Sequence, residues 1–356
     1  MKRAGNLHHK ICTQSALLDA YHRASDKKRS HRACFEFGRN LGENIALLQH
    51  QLSTDTYKPR PCNSFWVTDG RKPRLIEAPA FRDLVVQHAV YAVVAPLFER
   101  RYIDTSFACR VGRGTHQAAD WLQGAIRKSP RTAWVLHVDV RKFFYSIDRE
   151  TLKALLERVI KCPDTLRLLA VFAHRDSPVG VPIGNLMSQT FANVYLNSLD
   201  QFCKRTLKVE SYGRYMDDSI MLAPDRATGT AWLLAIRAHL AALGLEISHY
   251  SLHPVKRGAN FCGFRTWASA RFVRPHVISA LRTDARRDKL PGVISRLGHA
   301  MRTCSFNPLL TYLDAKHHDL YLRLPKSFHA AQHHPNGTAR QRRPGRRVPL
   351  HGAVHA

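Results

Sequence analysis

The stretch SYGRYMDDSIML, Ser211–Leu222, places two adjacent carboxylates, Asp217 and Asp218, inside an apolar run. Like charges repel each other there and desolvation disfavours them, so the pair needs compensation, for which a divalent cation is the strongest candidate. The flanking tyrosine and aliphatic residues favour extended backbone. The sequence therefore predicts two short strands with Met216-Asp217 at their turn. Taken alone, an exposed Asp-Asp turn is the alternative, and partners elsewhere must decide.

A third acid lies upstream, because Trp134–Val140, WVLHVDV, predicts a buried strand that carries Asp139 near its end. An acid in such a strand is costly unless it is used. Asp139 stands 78 positions before Asp217, which leaves room for two helices to cover a small sheet. A βαββ arrangement of this kind places the Asp139 strand beside the hairpin. Three carboxylates can then hold two Mg²⁺ ions, with Mn²⁺ as an alternative, as in-line phosphoryl transfer requires.

The composition points to a nucleic-acid partner. The 356 residues contain 55 Lys and Arg against 27 Asp and Glu, a formal net charge of +28 that is spread along the chain. A polyanion is the natural counterpart of such a surface. A membrane is the weaker alternative, because the sequence shows no lipidation signal, no signal peptide and no apolar run that we expect to span a bilayer. Eight scattered cysteines without a CxxC pair favour reduced thiols in the cytoplasm.

The first half of the chain alternates helical and extended patterns. Residues 1–60 are predicted to be helical and basic, and a hairpin with a turn at Asp69-Gly70 follows. A helix is predicted over Phe81–Phe98. The small residues of the loop 107–116 allow the backbone to approach a ligand closely, while Arg110 and Arg113 supply charge.

The second half continues with helices around the acidic hairpin. The patterns predict one helix over Arg149–Phe172, then a helix capped by Ser188, a helix over Thr230–Leu243, and a loop over Leu252–Arg257. Residues 260–264 are predicted to be extended, and 276–325 helical and basic. From 331 to 356 the sequence is rich in Arg, Pro and Gly and contains no acid, which favours a disordered nucleic-acid-binding tail.

In this order, the segments resemble the motifs of bacterial reverse transcriptases, over about residues 15–325. DVRKFF resembles motif A of that family, IGNLMSQ motif B, YMDD motif C, NFCGF the primer grip, and RLIEAPAFRDLVVQHAV the fingers motif. IGNLMSQ and FACRVGRGTH are most similar to the enzymes of diversity-generating retroelements. Retron-like and defence-associated groups are the neighbouring alternatives.

The resemblance implies an α+β fold: a right-hand polymerase with helical fingers, a βαββ-type palm sheet and a helical thumb. The implied domains are the fingers with an N-terminal helical extension over 1–135 and the palm over 136–270, with part of the fingers at 150–180. The thumb follows over 271–330, and the basic tail over 331–356.

The resemblance also implies roles for single residues. Asp139, Asp217 and Asp218 are the expected catalytic and metal-binding carboxylates. The expected dNTP-binding residues are Lys72, Arg74, Phe144, Gly184 and Gln189, with Phe144 as the steric gate against a 2′-hydroxyl and Phe143 as the alternative. The expected nucleic-acid-binding residues are Arg110, Arg113, Ser188, Tyr215, Met216, Phe261 and Gly263. Core packing, helix capping or a solvated hairpin are the ordinary structural explanations for these residues.

Two positions depart from the family pattern. Ile183 stands where many reverse transcriptases carry Gln, which predicts elevated misincorporation opposite template adenine. The second departure is in ISHYSLHPVKRG, where many family members have a lysine that protonates the departing pyrophosphate. Here Lys256 is displaced from that position, and His249 or His253 are the alternative proton donors. The general acid therefore stays unassigned.

The leading hypothesis is an RNA-directed DNA polymerase that copies an RNA template into cDNA, with errors, in a diversity-generating retroelement. Its expected partners are template RNA, primer or cDNA, dNTPs and a small basic accessory protein, without a membrane, in the cytoplasm of a bacterium or encoded by a phage. A defence-associated or retron-type enzyme, template-independent or protein-primed, is the first alternative. A catalytically idle RNA-binding scaffold is an alternative of another class.

Overall fold

The computed structural model describes residues 2–69 and 72–332. The chain divides into two compact units, Met1–Arg257 and Gly258–Ala356. The predicted tail falls outside the described residues, except for residues 331 and 332, which end a helix. The fingers, palm and thumb boundaries stay a prediction.

The first unit begins with helices and a β-hairpin, as the apolar spacing and the Asp69-Gly70 turn predict. Its first helices are α1 (His8–Ile11), α2 (Gln14–Ser25), α3 (Arg32–Arg39) and α4 (Leu41–Ser53). Strands β1 (Asn63–Asp69) and β2 (Lys72–Ala78) then pair antiparallel, and α5 (Phe81–Glu99) and α6 (Thr115–Lys128) follow. Residues 70 and 71, at the hairpin turn, lie outside the described residues.

Helix α5 corrects the expectation that no apolar run is long enough for a membrane. Its 19 residues would suffice by length and hydropathy alone. It carries two polar side chains, Asp83 and Gln87, that are buried inside the protein. Tyr57 donates a hydrogen bond to Asp83 at 2.8 Å, and Gln87 accepts one from the backbone N–H of Leu186 at 3.1 Å. These tertiary contacts make α5 a core helix of the first unit.

A four-stranded antiparallel sheet lies at the centre of the first unit. Its strands are β3 (Trp134–Val140), β4 (Tyr212–Tyr215), β5 (Asp218–Ala223) and β6 (Ile247–Pro254), in the order β4-β5-β3-β6. The predicted βαββ arrangement is therefore confirmed. The predicted loop over Leu252–Arg257 is wrong, because β6 pairs with β3 as far as Pro254 and a 3₁₀ turn follows. Pro254 ends the strand, where its missing N–H is least costly.

Five helices accompany this sheet: α7 (Phe143–Ser146), α8 (Arg149–Glu157), α9 (Pro163–Ala173), α10 (Leu186–Gln201) and α11 (Arg226–Ala242). Leu136, Val138 and Val140 of β3 join helix residues in the buried core. The prediction of one helix over Arg149–Phe172 is wrong, because Pro163 cannot continue a helix and starts α9 instead. After α10 the chain widens into a π-helical turn, Phe202–Thr206.

The second unit is a small sheet followed by helices, as the helical pattern over 276–325 predicts. The strands are β7 (Ala259–Phe261), β8 (Phe264–Thr266) and β9 (Arg271–Val273). The helices are α12 (Pro275–Arg286), α13 (Leu290–Ala300), α14 (Phe306–Lys316), α15 (His318–Leu322) and α16 (Lys326–Gln332). Leu281, Leu297 and Leu310 are fully buried and mark its core.

Candidate active site

The β4–β5 hairpin has the predicted two-residue turn. Tyr215 pairs with Asp218, which leaves Met216 and Asp217 at the tip. Met216 has φ +57°, in the left-handed region that such turns require and that Asn or Gly normally supplies. Arg214 donates a hydrogen bond from its guanidinium to the Met216 carbonyl at 2.8 Å. This side-chain contact supports the unusual backbone conformation of the turn.

The three predicted acids come together at this tip. Asp139 is the direct cross-strand partner of Asp218, so the two side chains project from the same face of the sheet. The pKa of Asp217 is raised to about 6, first by burial and then by the negative charges of Asp139 and Asp218, while a backbone amide and the Arg74 charge oppose the shift. The three carboxylates therefore share one electrostatic field, as the spacing predicts.

Two local hydrogen bonds orient the outer carboxylates. His137 Nε2 is hydrogen bonded to Asp218 Oδ1, and the Ser248 hydroxyl donates to Asp139 Oδ2 at 2.5 Å. Sequence reasoning missed both partners, although His137 stands two positions before Asp139 and so shares its face of β3. Ser248 carried no such signal, because β6 was expected to be a loop over part of its length.

The donor set suits a hard divalent cation. As the side chains stand, no group of three or more His, Cys, Asp or Glu residues in 2–69 and 72–332 is gathered closely enough to enclose a metal ion. The three carboxylates nevertheless offer the oxygen ligands that Mg²⁺ prefers. Their mutual repulsion at Asp217 is the interaction that a cation would relieve. The chemistry of the site therefore fits the expected metal.

A buried ion pair that the sequence did not reveal lies under the hairpin. Arg214 of β4 binds both carboxylate oxygens of Asp200 on α10 at 2.7 Å, and both side chains are fully buried. Tyr212 also donates its hydroxyl hydrogen to Asp200, at 2.8 Å. Asn193 accepts a further hydrogen bond from Arg214 at 3.2 Å. The hairpin is thus fixed to α10 by a bidentate, fully desolvated contact.

The predicted dNTP-binding residues lie on three elements. Arg74 on β2 is near enough to Asp217 for its charge to lower the pKa of that acid. The Lys72 backbone pairs with Asp69, and its side chain lies outside the described part of the chain. Phe144 is half-buried while Phe143 is fully buried, which leaves Phe144 as the ring with an accessible face.

The loop before α10 packs on the β1–β2 hairpin. The Glu77 backbone N–H donates to the Ile183 carbonyl at 2.6 Å. Gly184 has φ +103°, and a Cβ there would stand 2.7 Å from the Ile76 side chain, so glycine is required for this approach. Gln189 is exposed in the first turns of α10. Gly184 and Gln189 therefore lie at the junction of two predicted site elements.

Several predicted nucleic-acid contacts need correction. Arg110 donates to Glu99 and to the carbonyls of Ile103 and Ser106, and its side chain is only 5% exposed, so it is an internal structural residue and does not face template phosphate. Ser188 does not cap α10, because Asn185 accepts the capping hydrogen bond from the Met187 N–H.

The Ser188 hydroxyl is buried inside the first unit, without a hydrogen-bond partner among the described residues, and does not face a nucleic-acid strand. The Phe261 ring is buried in the second unit, and Gly263 forms the turn between β7 and β8 with φ +83°. Arg113 keeps a partly exposed side chain beside Asp104. Tyr215 and Met216 are half-buried at the hairpin tip.

Comparison with known proteins agrees with this geometry. Residues 68–265 match the family model described as reverse transcriptase (RNA-dependent DNA polymerase). The group II intron-encoded protein LtrA of Lactococcus lactis is 27% identical over 171 residues, covering 45% of this chain and 28% of the relative. Protein YkfC of Escherichia coli is 25% identical over 174 residues, covering 46% of each chain. The chain thus matches less than half the length of these curated relatives.

A solved structure shows the same fold. Telomerase from Candida albicans, in complex with a fragment of telomeric RNA, aligns with a TM-score of 0.50 at 11% identity, over 79% of this chain and 61% of the other. The predicted α+β right-hand polymerase fold is therefore confirmed. Because the family model spans more than half of the sequence and contains all three site aspartates, the chain belongs to the reverse transcriptase family.

Proposed function

We propose that this chain is an RNA-directed DNA polymerase that makes cDNA from an RNA template by two-metal nucleotidyl transfer. The observation that carries the proposal is the placement of Asp139 directly opposite Asp218, with Asp217 at the adjoining turn. The reverse transcriptase family model spans all three acids. Template RNA, a primer or growing cDNA, and dNTPs are the corresponding substrates.

In this proposal Asp139, Asp217 and Asp218 hold the metal. Bound Mg²⁺, or Mn²⁺ in its place, would lower the pKa of the primer 3′-hydroxyl and neutralise charge on the triphosphate. Lys72 and Arg74 grip the triphosphate, and the field that Arg74 exerts at Asp217 supports that placement.

The other pocket residues shape the space for the sugar and the strands. The accessible face of Phe144 excludes a 2′-hydroxyl, and Gly184 and Gln189 line the nucleotide pocket. Arg113, Tyr215 and Met216 contact template or primer. For Ser188 we propose support of these surfaces instead of direct contact, because its side chain is buried in the first unit. In the second unit, we propose that Phe261 and Gly263 shape a nucleic-acid-binding surface, because the Phe261 ring is buried and Gly263 forms a turn.

Primer extension on a defined RNA template tests the activity. We expect Asp217→Asn to lower kcat/KM by at least about 1,000-fold, or ~4 kcal/mol of transition-state stabilisation, because a metal ligand is lost. RNA affinity should change less than about threefold. Asp19→Asn, an exposed carboxylate on α2, is the matched control and should keep full activity.

The alternatives give different results in the same assay. Wild-type protein that binds RNA but extends no primer, with either Mg²⁺ or Mn²⁺, would identify an idle scaffold and refute the proposal. Extension that continues without any RNA template would instead favour the template-independent, defence-type enzyme.

We further propose that the enzyme diversifies a gene, in the manner of a diversity-generating retroelement. IGNLMSQ and FACRVGRGTH support this branch. Ile183 has an aliphatic side chain where many family members place an amide, and its carbonyl is fixed to the Glu77 N–H. The proposal includes the cytoplasm of a bacterium, or of a phage-infected cell, as the location, and a small basic accessory protein as a further partner.

Sequencing of cDNA copied from a defined RNA tests this branch. We expect misincorporation to be concentrated opposite template adenine, and Ile183→Gln to reduce it, because an amide restores a polar check near the incoming base. An error frequency that is equal at all four template bases would exclude the diversification proposal while leaving the polymerase proposal intact.

A further inference from the structure

A basic pocket in the first unit is lined by none of the catalytic, dNTP-binding or nucleic-acid-binding residues named above. It is an open cavity of about 770 Å³ between the end of α5, the segment that follows it, and the end of α10 with its π-helical turn. Arg100, Arg101, Lys204 and Arg205 line it, against Asp104 as the only lining carboxylate. The three catalytic aspartates and the β1–β2 hairpin do not contribute to the lining.

The positive charge of this pocket is not neutralised within the part of the chain that the structure describes. The side chains of Arg100, Arg101 and Arg205 have no hydrogen-bond or ion-pair partner among residues 2–69 and 72–332, and Arg101 is hydrogen bonded only through its backbone. Lys204 donates only to the backbone carbonyls of Val209 and Glu210, which carry no net charge. Asp104 is directed to Arg113, which lies outside the lining. Four cations in one concave surface repel one another unless an anion is bound.

The remaining lining suits a polynucleotide better than a single phosphate. The volume exceeds what one phosphate group fills, and the wall includes two side-chain amides, Asn197 and Gln201. Amides can bind ribose or base edges while arginines bind phosphate oxygens. Lys204 and Arg205 stand on the π-helical turn, a rare geometry that is often found at functional sites.

We propose that this pocket binds the sugar–phosphate backbone of a polynucleotide segment that lies outside the catalytic cleft, such as a structured part of the template RNA. The site would hold the template on the enzyme independently of nucleotide addition. Binding of a polynucleotide here does not depend on the proposed polymerase function, and only the identification of that polynucleotide as template RNA rests on it.

Competition binding tests the proposal with the full chain. A fluorescein-labelled RNA hairpin is titrated while excess unlabelled short RNA–DNA primer–template occupies the cleft. We expect Arg100→Glu/Arg205→Glu to weaken hairpin binding at least about tenfold and to reduce the slope of log K against log [salt] by about 2. The control Arg131→Glu/Arg158→Glu makes the same charge change at exposed arginines elsewhere and should have a much smaller effect.

Three further measurements distinguish a separate binding pocket from the catalytic cleft, from general surface charge and from misfolding. Extension of the short primer–template should stay within twofold of wild type; a loss equal to that of hairpin binding would place these arginines in the catalytic cleft and overturn the proposal. An equal effect of the pocket and control variants would reduce the pocket to general surface charge and also overturn it. If charge reversal disturbs folding, Arg100→Gln/Arg205→Gln removes the charges alone and should still weaken binding.

A DNA hairpin of the same sequence shows whether the pocket distinguishes an RNA backbone from a DNA backbone. An equal loss on RNA and DNA supports recognition of the backbone alone, and a larger loss on RNA supports an additional contact with the 2′-hydroxyl. Because Asp217→Asn removes extension without touching the pocket, failure of the polymerase proposal and failure of this one are distinguishable.

Discussion

At the scale of single residues, the pKa of Asp217 predicts a conflict between function and stability. Its ordinary value is about 3.8 and its value in the folded chain is about 6. A raised acid pKa means that stability is fully present below the unfolded value and is lost as the pH rises through about 6. Without metal at about pH 7.5, the ionised Asp217 therefore destabilises the fold by at most about 3 kcal/mol.

Asp217→Asn should consequently stabilise the protein in EDTA at about pH 7.5, and the gain should vanish near about pH 3, which lies below both pKa values, so that Asp217 is mostly protonated in both states. Urea unfolding at the two pH values measures the difference, with Asp19→Asn as the control. A variant that is less stable than wild type at about pH 7.5 would show that the carboxylate has a structural role that outweighs its repulsion.

His137 is expected to act as a positioning residue for Asp218. It is hydrogen bonded to Oδ1, which leaves Oδ2 for a metal and fixes the carboxylate plane. Loss of such an outer partner typically lowers metal affinity by about 10-fold or more. His137→Ala should therefore raise the Mg²⁺ concentration for half-maximal extension about tenfold, with little change in kcat at saturating Mg²⁺. His137→Gln keeps a donor and should restore most of the affinity; an unchanged Mg²⁺ midpoint in the alanine variant would contradict this role.

At the scale of elements, the β4–β5 hairpin depends on the buried Arg214–Asp200 pair. Arg214→Met leaves Asp200 charged and unpaired in the core, which should cost about 3–5 kcal/mol of unfolding free energy. Arg214→Met/Asp200→Leu removes both charges and should recover much of this loss. The exposed Arg141–Glu246 pair is the control, because breaking it should cost less than about 1 kcal/mol. Equal effects at the two pairs, measured by urea unfolding, would show that the buried pair does not anchor the hairpin.

The sequence predicted the helices and strands that are defined by local residue patterns. It did not predict the side-chain contacts that depend on how the strands pair. A run of β-forming residues predicted β3, and the extended flanks of the acidic pair predicted the β4–β5 turn. Strand β6 was not predicted, and its last residues were expected to be a loop, because its pairing with β3 overrides a sequence that contains Pro254 and polar residues. His137 and Asp218 are separated by 81 positions, so their contact follows only from the strand pairing. Arg110 looked like a ligand-binding loop residue because sequence does not show that Glu99 and two carbonyls surround it.

At the scale of the whole molecule, the net charge of +28 predicts that the affinity for nucleic acid depends more strongly on salt concentration than the affinity for dNTP. Polynucleotide binding releases one condensed counterion for nearly every phosphate contacted, so its affinity falls steeply with ionic strength. A dNTP offers few phosphates, and its proposed contacts lie close to the active-site carboxylates, where salt screens less. Between about 50 mM and about 200 mM KCl, KM for the RNA–DNA primer–template should rise at least about 100-fold, while KM for dNTP should rise only a few-fold. Steady-state extension measures both constants, and unchanged kcat at saturating substrates excludes unfolding as the cause. If KM for dNTP rose as steeply as KM for the primer–template, the Lys and Arg side chains would be concentrated around the triphosphate in the active site. A rise of KM for the primer–template alone requires these side chains to lie along the nucleic-acid strands.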